Sequence, residues 1–192
     1  MKRRQFFTSS AAGLAGMMII PLGLALAQDD KKKAGKKEKF NHSLLPKFRI
    51  RTLTSGPMHH FFGYYGMSPW NKSETKMVCM ESSFHDSMPE PGETATIGLV
   101  DPVTGVFSPL TKTLAWNLQQ GSLLHWNPLK PDDEIIYNDQ SGNELVSVKL
   151  NVTNGNKSFL PRPISGVATK GKYALSLNNG RLGRLREVVG YA

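Results

Sequence analysis

The sequence predicts an all-β chain of short antiparallel strands. From about Pro46 to Ala192 it breaks into short apolar runs separated by clusters of Gly, Pro, Asn, Asp and Ser. No long apolar stripe of helical period follows residue 27. A template of apolar lead-in, polar turn and apolar strand also recurs along the chain. Together these features predict a β-propeller-like arrangement, with about three four-stranded antiparallel blades forming an incomplete propeller.

The elements follow in order. "KMVCM" carries the strand of the opening template, and "TATIGLVD" is the next strand. Residues 102–105, "PVTG", make a hairpin turn into a partner that begins at Val106. "GSLLHW" and "DEIIYND" read as strands, and "NELVSVKLNV" shows partial period-two alternation at Leu145, Val146, Val148 and Leu150. "NVTNGN" turns the chain, and "GKYALSL" closes the series. In the template, Pro128 and Ala168 take equivalent places 40 residues apart, with Ser68-Pro69 opening the first copy. The first interval is longer, and its excess falls in "SSFHDSMPEPGET", which reads as an inserted loop.

The N-terminus reads as an address. Arg3 and Arg4 stand before Gln5, Phe6 and Phe7, and a weakly apolar stretch over residues 11–27 contains three glycines and Pro21. It ends in Ala25-Leu26-Ala27, a small-x-small pattern that predicts cleavage after Ala27. The arrangement resembles a twin-arginine export signal, departing from it at Lys2 and Phe7. That resemblance implies the twin-arginine translocase as a partner and a periplasmic or secreted location. The competing reading, an uncleaved anchor, is disfavoured because a bilayer span needs about 20 predominantly apolar residues. No permanent membrane span is expected.

Residues 28–45 form a lysine-rich linker, expected to be disordered. The formal charge of +9 is concentrated in this segment and the signal. From Phe40 onward there are 15 Lys and Arg against 12 Asp and Glu, so the remainder is nearly balanced. A dedicated nucleic-acid surface is not expected. The single cysteine, Cys79, excludes an internal disulfide and reads as a small buried hydrophobe within its strand.

"SPWNKSETKMVCM", "WNPLKPDDEIIYND" and "VATKGKYALSLN" resemble the repeats of TolB-like and WD40-like propellers. "HHFFGYYGMSPWN" and "LNNGRLGRLREVVGYA" are similar to exported proteins of the oligogalacturonate lyase branch. The resemblance runs from about Arg49 to the end. It implies a seven-bladed ring and metal-assisted β-elimination on acidic oligosaccharides, with Mn²⁺ or Ca²⁺ as cofactor in a full-length homologue. The ligands of that metal, several histidines and a glutamine, belong largely to later blades and match no motif here. No catalytic residue is therefore carried over. Residues 46–192 suffice for about three blades, whereas closed rings have about 4 to 8. The length thus predicts the N-terminal part of a longer propeller, inactive by itself.

Several residues are candidates for ligand binding. His59 and His60 are adjacent, so on a strand they point to opposite faces and do not chelate one ion together. Tyr64, Tyr65 and Trp70 offer aromatic faces for a sugar ring, or packing between blades. Arg181, Arg184 and Arg186 in "GRLGRLR" offer guanidinium forks to a carboxylate, or caps for loop carbonyls. His125 beside Trp126 reads as packing. Two function classes stand: a lyase-related carbohydrate scaffold, and a non-catalytic periplasmic module that binds a protein or a glycan.

Overall fold

The computed structural model describes residues 50–185 and 190–191. The expected signal with Arg3 and Arg4, the linker over residues 28–45, and Arg186 lie outside them.

Among the described residues, ten strands and one short helix follow in sequence. The first sheet has the order β1-β2-β3-β4, from His59–Phe61, Met77–Ser82, Ala95–Val100 and Phe107–Thr113. The second repeats it as β5-β6-β7-β8, from His125–Trp126, Glu134–Ser141, Glu144–Asn151 and Lys157–Leu160. Then β9 (Gly166–Val167) and β10 (Ala174–Leu175) form a two-stranded sheet, and α1 spans Asn179–Leu185. Every pairing is antiparallel between sequence neighbours. The all-β expectation therefore holds. Among the described residues the third unit has two strands rather than four.

The three units share a corner held by the same two backbone bonds. Asn71 N–H donates to the Lys76 carbonyl, Asn127 to Glu134 and Ala168 to Tyr173, at 3.1, 2.8 and 2.9 Å. Within each corner a turn closes back on the same residue: Glu74 N–H to Asn71, Lys130 to Asn127 and Gly171 to Ala168. Trp70, Trp126 and Val167 each precede this corner and pair with the next strand, opposite Met77, Ile135 and Ala174. This register corrects the alignment on Pro69, Pro128 and Ala168. The equivalent residues are Asn71, Asn127 and Ala168, because the bonded backbone groups, not the prolines, set the phase.

The two four-stranded sheets share an outer turn as well. Between β3 and β4, Asp101 N–H bonds the Val106 carbonyl, and Asp101 Oδ1 accepts from the N–H groups of Val103 and Thr104. Between β7 and β8, Asn151 does the same with Asn156, Thr153 and Asn154. Gly105 and Gly155 complete the two turns at φ 75° and 74°, a left-handed conformation that favours glycine.

Three local expectations change. "GSLLHW" is strand only at His125–Trp126, because Gly121 and Leu123 sit at φ 58° and 52° and turn the chain there. "GKYALSL" is strand only at Ala174–Leu175. "GRLGRLR" is not a bare loop, since residues through Leu185 form α1. Asn178 starts that helix: its Oδ1 accepts the Arg181 N–H at 2.9 Å, a side-chain N-cap that offsets part of the low helix propensity of two glycines.

The core lies where the sheets meet. Val78, Met80, Ala95 and Ile97 from the first sheet pack in one cluster with Ile135, Tyr137, Val148 and Leu150 from the second. Trp116, Leu124 and Trp126 join them. The alternation of β-strands explains the selection, since Val78 with Met80 and Ile135 with Tyr137 are period-two pairs. Each buried Val, Leu, Ile or Met among them contributes about 1.5–3 kcal/mol by leaving water.

Candidate functional site

The most histidine-rich cleft lies beside β1. Its pairing with β2 sets His59 opposite Ser82, His60 opposite Glu81 and Phe61 opposite Met80. His60 Nε2 meets Glu81 Oε2 at 3.1 Å, with the side chains 10% and 20% exposed, and its ring lies 4.8 Å from that of Phe107. His59 turns to the other side, as the strand alternation predicts. There it meets His85, with Nε2 of His59 3.3 Å from Nδ1 of His85.

His85 comes from the loop over residues 83–94, the insertion read from the sequence, and was not among the candidates. Ser82 Oγ accepts the Phe84 N–H at 3.2 Å and turns the chain directly after β2. The Phe84 ring then packs 5.6 Å from that of Trp116, which also touches Phe61 at 6.0 Å. Trp116 Nε1 donates to the Glu93 carbonyl at 2.9 Å, fastening the far end of the loop. A histidine inside an insertion that leaves a strand paired with "HH" was the available signal. The cleft, of about 430 Å³, is lined by Thr54, Ser55, His59, His60, His85 and Leu118 among others.

The remaining candidates do not gather there. Tyr64 and Tyr65 lie on the loop that interrupts the first sheet after β1, with rings 4.8 Å apart, and Tyr65 is largely exposed. Trp70 sits half-exposed at its corner. Arg181 and Arg184 are exposed on α1, three residues apart on one side of the helix. None of these lines the histidine cleft.

A second cleft of about 480 Å³ separates the β6–β7 hairpin from the start of α1 and is lined by Glu144, Arg162, Ser176 and Asn179 among others. It too escaped the sequence reading, because Arg162 and Asn179 belong to different units.

Two other titratable groups lie largely buried away from the histidine cleft. Burial, and then the nearby Glu81 carboxylate, push the Cys79 thiol up to about 12, so it stays protonated and is no nucleophile. Burial lowers the pKa of His125, while its Nδ1 faces the Leu123 carbonyl at 2.7 Å. A neutral imidazole fits that pocket, with Nδ1–H as donor; its Nε2 is buried without a partner among the described residues.

The divalent Mn²⁺ or Ca²⁺ implied by the family resemblance finds no fitting set. Such ions favour several oxygen donors. Among the described residues no three His, Cys, Asp or Glu side chains converge, and the Glu81 carboxylate already faces His60. No described helix is long and apolar enough to cross a membrane. Compared with protein-family models, curated proteins and solved structures, the chain matches none.

Proposed function

We propose that this chain is an exported propeller-type module, related to the oligogalacturonate lyases, that binds an acidic oligosaccharide. The supporting observation is the recurrence of one corner, with the same two backbone bonds at Asn71, Asn127 and Ala168, in consecutive antiparallel units. Radial repeats of four-stranded units are the hallmark of propeller blades. The histidine cleft, edged by Thr54 and Ser55, offers hydrogen-bonding groups to a sugar, and the exposed Arg181 and Arg184 offer charge to its carboxylates.

Binding without turnover is the expected behaviour. β-Elimination needs a base at the sugar C5 proton and a cation on the adjoining carboxylate, both held in fixed geometry. Titration of the protein with oligogalacturonides should show weak binding that fades with added salt. The unsaturated product, followed by its ultraviolet absorbance with Mn²⁺ or Ca²⁺ present, should not accumulate. Metal-dependent product growth would overturn the binding-only role, and absence of binding at low salt would overturn the ligand. Export through the twin-arginine route belongs to the same proposal and rests on Arg3 and Arg4. Replacing both with lysine should leave the protein in the cytoplasmic fraction, and normal export of that variant would refute the route.

A further inference from the structure

Among the described residues β10 has one bonded edge and one open edge. The Ala168 N–H donates to the Tyr173 carbonyl at 2.9 Å, and the Ser165 N–H to the Leu175 carbonyl at 2.8 Å. The Leu177 N–H continues the series, donating to Ser165 Oγ at 3.2 Å. These bonds fall on alternate residues, so the backbone groups of Ala174 and Ser176 point the other way. Both residues are exposed.

The first two units show what belongs on that edge. Through the shared corner Met77, Ile135 and Ala174 are equivalent, and so are the residues after them, Val78, Ile136 and Leu175. In those units a third strand, β3 or β7, pairs antiparallel with the same edge and sets Leu99 opposite Val78 and Lys149 opposite Ile136. Val78 and Ile136 are 0% and 3% exposed, whereas Leu175 is 77% exposed. Tyr173 and Leu177, two positions to either side, are exposed as well. By alternation the three side chains share one face, so an apolar stripe runs beside unpaired backbone groups. Such an edge is a template for pairing with another chain.

We propose that this edge is an interface between two copies of the chain, β10 pairing antiparallel with the partner's β10 about a twofold axis at Leu175. Self-pairing joins two two-stranded sheets into one of four strands, the number in each of the other units, and continues the β9–β10 ladder in the antiparallel sense of every described pairing. The apolar pattern sets the register. Open-edge residues must face open-edge residues, so Ala174 can pair with the partner's Ala174, Ser176 or Asn178. Pairing with Ser176 sets Leu175 opposite the partner's Leu175 and Tyr173 opposite the partner's Leu177. Pairing with Ala174 would set Leu177 against glycine, at the partner's Gly171, and pairing with Asn178 would set Tyr173 against the partner's Asn179. The Ser176 register also places Lys172 opposite the partner's Asn178, so the lysines that flank the strand do not meet. The interface does not depend on the oligosaccharide reading.

The test is the mass of the full 192-residue chain by sedimentation equilibrium. Twice the monomer mass is expected at micromolar concentration. Leu175→Lys and Leu175→Glu should each halve it, because each sets like charges directly opposite at the axis, and mixing the two variants should restore it. Ser176→Pro, which removes an open-edge N–H and leaves the bonds to β9 in place, should also be monomeric. Since Leu175 and Ser176 are exposed, all three variants should keep the parent's circular dichroism. A monomeric parent would overturn the proposal. So would a dimer that survives Leu175→Lys or Ser176→Pro, or a mixture of the two charged variants that stays monomeric.

Discussion

The two four-stranded sheets are built on one plan and differ in the loops that join their strands, most sharply between the second strand and the third. Both run as four consecutive antiparallel strands, with a Trp-Asn corner leading into the second strand and an Asx-capped outer turn leading into the fourth. In the second sheet β6 and β7 are joined by a two-residue turn, Gly142-Asn143. In the first, the corresponding β2–β3 connection is the loop over residues 83–94. That loop carries His85 to His59, Phe84 to Trp116 and Glu93 to the Trp116 indole. The lesson is that the repeated hydrogen-bond plan carries the fold, while a length change at one hairpin creates the candidate site. A tight turn spends its residues on reversing the chain. A longer loop has residues left over to present.

The largest effect should come from the side chain that joins the loop to the scaffold. Trp116 is fully buried and touches both Phe61 and Phe84. Trp116→Ala should cost about 3–5 kcal/mol in chemical denaturation. A loss below about 1 kcal/mol would mean that the loop and the sheet are not packed as one body.

The two corners should then respond unequally. The Asn71 amide donates to Ser73, Thr75 and Asp132, and its oxygen accepts from the N–H groups of Thr75 and Lys76. Asn127 donates to Glu134 and accepts from Leu129. Alanine should cost about 2–3 kcal/mol at Asn71, where five side-chain bonds are lost, and about 1–2 kcal/mol at Asn127, where two are lost, one of them to the buried Glu134. Equal losses would erase the distinction between the corners.

The outer turns offer a comparison of a carboxylate with an amide. Asp101 is held below the usual carboxylate range first by the Thr104 backbone N–H, then by that of Val103. Asn151 makes the same two kinds of bond without a charge. A depressed carboxylate contributes stability that is present above its unfolded pKa, about 3.9, and is lost as pH falls through its lower folded value. The melting temperature should therefore decline more steeply below about pH 4 in the parent than in Asp101→Asn. Asp132, depressed chiefly by the Ser73 backbone N–H, should leave the variant a residual slope. Identical acid profiles would show that the first turn gains nothing from its charge.

The smallest effect belongs to the ion pair near the second corner, in which an exposed lysine meets the buried Glu134. Lys130 Nζ lies 3.2 Å from Glu134 Oε2, with the lysine side chain 58% exposed. Lys130→Ala should change stability by about 0.5 kcal/mol or less in the same denaturation assay. A loss above about 1 kcal/mol would mark this corner as more tightly coupled than its geometry implies.

Much of the scaffold was legible because its signals are local. "TATIGLVD-PVTG-VFSPLT" contains both strands and the Asp and Gly of its turn within one short span, and the structure pairs them there. The divergence of His59 and His60 was legible for the same reason, since adjacent residues on a strand face opposite ways. The helix at "NNGRLGRL" was missed because a short helix with two glycines depends on its Asn178 cap more than on any apolar period. The second cleft was missed because Arg162 and Asn179 are brought near each other only by the folding of separate units.

By itself the sequence determined the all-β character, the turn sites, the approximate repeat and the histidine pair on β1. These rest on periodicity and turn chemistry, which act over a few residues. Tertiary structure alone decided that Asn71 meets Asp132 across 61 positions and that His85 rather than His60 accompanies His59. Such meetings depend on which loops close and which faces pack. Those choices are made by the burial of Trp116 and the strand ladders together, and no single stretch of the chain encodes them.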